Sequence, residues 1–219
     1  MISRCFFALL FMVCSSTVCR AKQETDTSCH VAEQRMVKEL SSMRVAALYS
    51  MADTGLYINN VWKEKENRCA VISILKDREG NDRVQFMAAE ILLENCTGIP
   101  GEIDRARLGE LYAIAIKKNY TGDLNRWGMY DSTDIGPVGK HLLKIGKPAV
   151  PALARLLNKR GGLVYSGSKG ASVANEWLYR KKDVAAFFII HIMQYSLPWP
   201  KDPKKRDEVI KQVKAKLAE

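Results

Sequence analysis

Long apolar runs are scarce in this chain. Cys5–Val13 (CFFALLFMV) and Phe187–Met193 (FFIIHIM) both fall well short of the about 20 residues that a membrane-spanning helix needs. No transmembrane span is therefore expected in the mature chain. Histidine is rare, with three residues in 219, and H-E-x-x-H, C-x-x-C and G-x-S-x-G are all missing. Their absence removes zinc-protease, thioredoxin-like and α/β-hydrolase chemistry. Of six cysteines, Cys5, Cys14 and Cys19 fall in the first 21 residues. The remaining Cys29, Cys69 and Cys96 are too few for a disulfide framework. Cys29-His30 has no second cysteine or histidine near it in sequence, so neither a metal site nor a cofactor is expected. Acidic residues are absent before Glu24.

That last absence fits what the N-terminus contains. Met1–Arg4 is short and basic, Cys5–Val13 is apolar, and Cys19 and Ala21 form a small-x-small cleavage pattern. These are the parts of a secretory signal peptide over residues 1–21, which predicts an exported protein, periplasmic or secreted. A lipoprotein cysteine at Cys14 or Cys19 is the alternative, disfavoured by the valine that precedes each. Losing Arg4 and Arg20 leaves 32 Lys and Arg against 24 Asp and Glu, a mature charge of +8. Such an excess favours an anionic partner, whether lipid head groups, an acidic polymer or an acidic protein; outside the cytoplasm nucleic acid is not expected. An exported chain can oxidise its thiols. Cys69 and Cys96 form the expected bridge if neighbouring helices hold them, and buried reduced thiols are the alternative.

Residues 22–30 (KQETDTSCH) are polar and read as a disordered start, leaving residues 31–219 as one helical domain. Apolar residues there recur at three and four, and extended alternation is nearly absent. Val31–Gly55 reads as a helix stopped by glycine, and Tyr57–Lys76 as a second. Asp82 is placed to cap RVQFMAAEILLEN, with Val84, Met87, Ala88, Ile91 and Leu92 on one face. Glu102–Asn119 follows, then a helix capped by Asp134, then AVPALARLLNKR. Asp183 is expected to cap VAAFFIIHIMQYS, whose apolar residues run nearly all round and predict a central position. Asp202-Pro203 is a cap and first-turn pair for the last helix.

The stretch GGLVYSGSKGAS (Gly161–Ser172) invites comparison with a phosphate-binding loop. Gly162 and Gly167 have the right separation, but Ser168 stands where the lysine belongs and Lys169 where the hydroxyl belongs. The preceding ALARLLNKR is helical, not a buried strand. Ser166 and Lys169 fit S-x-x-K spacing without the two companion motifs that such a nucleophile needs. A flexible connection is the simpler reading of these glycines. Its surroundings are basic and aromatic, however, and a partner-binding patch is expected at Arg160, Tyr165, Lys169, Trp177, Tyr179, Arg180, Lys181 and Lys182. The alternative is a solvated charge run with Trp177 in the core.

Ile145, Gly146, Pro148, Ala149, Val150, Pro151, Leu153, Leu156 and Leu157 (within IGPVGKHLLKIGKPAVPALARLLNKR) resemble a HEAT-type repeat junction. Asp82–Glu94, with Asp82 at its start and Ala88-Ala89 where helices pack closely, and Asp183–Met193, with its Asp-x-Ala-Ala opening, resemble the second helix of such a unit. The resemblance implies an all-α fold, a short degenerate α-solenoid of antiparallel helix pairs. Asp82 to Asp134 spans 52 residues and Asp134 to Asp183 spans 49, longer than the about 40–47 of HEAT and armadillo units. Proteins of this kind serve mostly as scaffolds and binding surfaces. The C-terminal stretch from Tyr179 is also similar to the end of exported bacterial proteins, which implies an envelope and supplies no activity.

A non-catalytic, exported binding protein is therefore the expectation. The alternative is an envelope hydrolase acting on a glycan or other polymer, with Glu90, Asp131 or His141 as acid or base. Glu90 stands among apolar neighbours in MAAEILL, where desolvation would raise a carboxyl pKa; a salt bridge to another helix would serve the same residue equally well. Close approach of two of these groups at a concave pocket would favour the hydrolase.

Overall fold

A computed structural model of the chain describes residues 27–52, 55–122, 126–129, 134–167, 172 and 175–219. They are mostly helical, and the fold is all-α. Helix α1 spans residues 27–42. It begins inside the stretch expected to be disordered, because Cys29 is tied down, as described below. A 3-10 turn, Val45–Tyr49, leads into the two-residue strands β1 (Met51–Ala52) and β2 (Gly55–Leu56), which pair antiparallel. The expected helix over Val31–Gly55 thus ends a dozen residues early. Tyr57–Lys76 likewise divides, into α2 (Tyr57–Val61) and α3 (Lys65–Lys76).

Helix α4 (Asp82–Asn95) is capped by Asn81, not Asp82. The Asn81 side-chain Oδ1 accepts from the backbone N–H of Arg83 at 2.9 Å and of Val84 at 3.3 Å. Asp82 becomes the first helical residue, where a carboxylate suits the positive end of the helix. Every residue from Val84 to Leu93 is buried, so α4 is enclosed all round and does not present one apolar face. Helix α5 (Arg105–Lys118) is capped by Asp104 and ends at Asn119 in the left-handed conformation. Helix α6 (Pro137–Ile145) starts after Gly136, so Asp134 is not its cap; the Asp134 carbonyl instead takes the Met129 N–H at 2.8 Å. A 3-10 turn, Lys147–Ala149, enters α7 (Val150–Ala154). Helix α8 (Lys181–Met193) begins two residues before Asp183, whose carboxylate accepts the Arg180 N–H at 2.8 Å. Asp202 caps α9 (Pro203–Ala218) as expected, accepting from Lys204 and Lys205.

Packing follows chain order from α3 through α4 and α5 to α7, α8 and α9, and α5 also touches α6 and α8. Asp183 to Ile190 are all buried, which places α8 in the interior as its composition predicted. The closest helix approach is at Gly109 of α5. A Cβ there would lie 2.5 Å from the Ala149 Cα, so only glycine lets α5 meet the turn before α7.

Cys29 is bonded to Cys69, and Cys96 is the free thiol. This corrects the expected Cys69–Cys96 pair. Helix α3 buries Ala70, Val71 and Ile74, while Cys69 lies on its exposed side. The same two helices are joined by Arg35 to Asn67 at 2.7 Å and Ser73 to Glu33 at 2.8 Å. Cys96 sits at the far end of α4, where its carbonyl takes the Lys144 ammonium. Alkylation of unreduced, unfolded residues 22–219 is expected to label Cys96 alone. Reducing the bridge, which closes a 40-residue separation, should cost about 4 kcal/mol, read as a lower urea midpoint. Label at Cys29 without reduction would refute the pairing.

Candidate functional site

The candidate site is a polar cluster inside an apolar core. Glu90 is its centre, wholly buried on α4 with Ala88, Ala89, Ile91 and Leu92 around it in sequence. Three elements distant in sequence converge on this carboxylate. Tyr112 of α5 donates its hydroxyl to Oε1, and Tyr49 of the first 3-10 turn donates to Oε2. His141 of α6 places Nδ1 3.1 Å from Oε2. Its other nitrogen, Nε2, lies 3.0 Å from Oε2 of Glu94, one turn further along α4. Both ring nitrogens face carboxylates, an arrangement that favours the doubly protonated imidazolium.

Two opposing causes act on His141. Burial favours the neutral ring, but the Glu90 and Glu94 carboxylates outweigh it and raise the pKa. Burial first, and then the Glu90 charge, push the Tyr49 and Tyr112 phenols well above the ordinary range, which keeps both hydroxyls protonated and donating. The Arg126 guanidinium lies over the Tyr49 ring, 4.8 Å from its centroid, at the distance of a cation–π contact. Tyr112 is also held edge-on by Phe86 and Trp127, at centroid distances of 5.1 and 6.2 Å.

Raising a histidine pKa makes its contribution largest at low pH. The stabilisation from the His141 pair is full below the unfolded value of about 6.5 and is lost as pH rises through the higher folded value. Exchanging His141 for asparagine should therefore lower the urea midpoint more at about pH 6 than at about pH 9. An equal loss at both would show that the ring is neutral in the folded protein.

A second buried charge cluster ties α8 to α9. Asp183 accepts from Arg180 Nε at 2.9 Å and Nη2 at 2.7 Å. The wholly buried Arg206 places Nε 3.3 Å from the same carboxylate. Its Nη2 donates to the carbonyls of Trp177 at 2.7 Å and Leu178 at 3.2 Å, and its Nη1 to that of Lys201. Asp207 holds Lys182 at 2.7 Å and Arg180 at 2.9 Å.

Three members of the expected partner-binding patch turn inward. Tyr165, Trp177 and Tyr179 are buried, at 4%, 8% and 1% exposure, and belong to the core. The Asn175 side chain bonds both backbone groups of Tyr165, and the Tyr179 hydroxyl donates to the Met129 carbonyl. Arg180 and Lys182 are engaged by Asp183 and Asp207. Arg160 is exposed and Lys181 half-buried, while Lys169 lies outside the described residues. The glycine-rich stretch carries no phosphate cradle in its described part. Gly162 bridges to Arg180, Leu163 donates to the Tyr179 carbonyl and Lys181 to that of Gly161, so the segment is zipped onto the entry to α8.

Of the three candidate acid–base residues, Glu90 and His141 are brought together, and Asp131 lies outside the described residues. Sequence reasoning missed Tyr49, Tyr112 and Glu94. A tyrosine on an otherwise apolar helix face, as at Tyr112, was the available signal, since a buried phenol needs an acceptor. Among the described residues no group of three or more His, Cys, Asp or Glu is arranged to hold a metal ion.

Two surface hollows are larger. One, of about 620 Å³, lies at the end of α8 and is lined by Phe187, His191, Tyr195 and Trp199 among others; its histidine is tied by Nδ1 to the Phe187 carbonyl at 2.8 Å. The other, of about 460 Å³, runs between α5 and α7. Comparison with known proteins brings no relative to either: no family model, curated protein or solved structure matches the chain.

Proposed function

We propose that this is a non-catalytic, exported helical-repeat protein that binds an anionic partner, a protein or an envelope component. The observation that carries this is that the buried carboxylates Glu90 and Asp183 are already engaged by side chains of the fold. Glu90 already accepts from Tyr49, Tyr112 and His141, and Asp183 from Arg180. A general acid or base needs a proton site open to substrate, and these carboxylates spend their acceptor sites on neighbouring helices. Such networks fix the relative positions of elements. What the fold leaves for interaction is its surface, which carries the excess positive charge. The stacking of helix pairs implied by the HEAT-like resemblance belongs to this proposal, as does export. The Cys29–Cys69 bridge is in keeping with an oxidising compartment.

The test is a cross-linked pull-down of residues 22–219 from envelope extract at low and moderate salt. Recovery of one acidic protein, or of an anionic polymer or lipid that is lost as salt rises, is expected. Recovery of nothing anionic at either salt would overturn the proposal. The contact of Glu90 with His141 favours one second reading, the envelope hydrolase. Glycan cleavage by the purified protein that disappears in Glu90→Gln, with the fold retained, would establish it instead.

A further inference from the structure

The groove between α5 and α7 combines a recessed apolar floor with a rim of cations. Its floor is Ala113, Ile114, Ala152 and Leu156. Three of the four are recessed, with Ala113 at 7%, Ala152 at 3% and Leu156 at 5% exposure. Its edges carry the exposed cations Lys117, Arg155 and Lys159. The single lining carboxylate, Glu110, is shared between Arg107 and Arg155, each 3.5 Å away. Lys117 and Lys159 form no ion pair among the described residues. Lys214 of α9 adds another cation beside the groove, held to Asn158 at 2.7 Å.

The groove is built by backbone placement. Gly109 against Ala149 sets how close α5 and the α7 segment come. One turn further along α5 stands Ala113, and across from it Ala152, so the facing side chains are too short to fill the furrow. Its volume of about 460 Å³ falls in the range of sites that enclose a small ligand or a few side chains.

We infer that this groove is a docking site for an acidic amphipathic helix of a partner protein. The inference rests on the proposal that the chain is a binding protein and names its partner class. Apolar floor and charged edges match a helix with an apolar stripe flanked by Glu or Asp, the helix-in-groove mode of recognition. Lys117 stands on the α5 edge, and Arg155 and Lys159 follow the end of α7 on the other. Alanines on the floor let a second backbone approach closely. A lipid surface would call for apolar side chains standing clear of the protein, and here they are recessed. A single-stranded nucleic acid would call for aromatic platforms, and none lines the groove.

The probe is a labelled helical peptide of leucine on one face flanked by glutamate, compared with its isomer bearing lysine for glutamate and with vesicles of phosphatidylglycerol. Binding is read by fluorescence anisotropy with the oxidised protein, residues 22–219. The glutamate peptide should bind and the lysine peptide should not. Lys117→Glu with Lys159→Glu should weaken the glutamate peptide about tenfold and admit the lysine peptide. Ala152→Phe, which fills the floor, should weaken binding without changing charge preference; thermal melts exclude unfolding. Lys204→Glu with Lys205→Glu, at the start of α9, should leave peptide affinity unchanged. Equal affinity for both peptides, or no response to the paired Lys117 and Lys159 reversal, overturns the groove assignment. So does vesicle binding that depends on those lysines while the peptide does not bind. If the groove variants change nothing yet the pull-down still recovers an anionic partner, the binding proposal stands without this site. If neither peptide, vesicle nor extract yields an anionic partner, both fall.

Discussion

Replacing Glu90 with glutamine is expected to cost about 3 kcal/mol of stability, within the range measured when one member of a buried charge pair is removed. Glutamine has nearly the same shape, so packing is not the cause. Its amide nitrogen, however, would face a hydroxyl or the imidazolium, which are both donors. One oxygen could still accept, and the other position would set donor against donor. His141 would keep Glu94 but lose its buried counter-charge, leaving a cation with 7% side-chain exposure partly unanswered. For a domain of this size the change should appear as a fall of roughly 10 °C in melting temperature. Tyr112→Phe and Tyr49→Phe each remove one donor and should cost about 1–2 kcal/mol. Because the groups share one carboxylate, the double change with Glu90→Gln should be much less than additive. Full additivity would mean that the four side chains do not act as one network.

The second large effect is expected at Arg206. Arg206→Met keeps a long apolar stem but removes every donor that the guanidinium directs at the Trp177, Leu178 and Lys201 carbonyls. Three carbonyls would then lose a hydrogen-bond partner, at about 1–3 kcal/mol for each that water cannot reach. A loss of about 3–5 kcal/mol is expected, with α9 released first because the bonds to Trp177 and Leu178 join it to the segment before α8. Hydrogen exchange should show protection falling at Val209, Ile210 and Val213 before it falls in α4. Uniform loss across α4 and α9 would show instead that the two regions open together. Asp183 should suffer less, since Arg180 still grips it through two side-chain bonds and its own N–H.

The sequence announced what depends on neighbours along the chain. Asp202-Pro203 marked the start of α9, and the unbroken apolar run in α8 marked a central helix, because capping and burial all round leave local traces. Asn81 and Asp82 could each have capped α4; the backbone chose the asparagine one residue earlier, a distinction too fine for composition. The Glu90 cluster joins residues 22, 41 and 51 positions apart. The lone glutamate in MAAEILL and a tyrosine on an apolar face of α5 hinted at it, but which partners meet was set by how helices pack. The basic and aromatic loop misled for a related reason. Aromatics beside arginine look alike whether the ring faces a ligand or the core, and Tyr179 and Trp177 face the core because Arg206 and Asn175 spend their bonds fastening that segment down. The α5–α7 groove left almost no trace, since it consists of small side chains at a helix crossing.

The pairing of Cys29 with Cys69 also bears on how the chain matures. A polypeptide that emerges N-terminus first presents these two thiols before Cys96. In an oxidising compartment the correct partners can meet while the competing cysteine has yet to arrive. In such a compartment the order of appearance would favour this bridge over a Cys69–Cys96 pair.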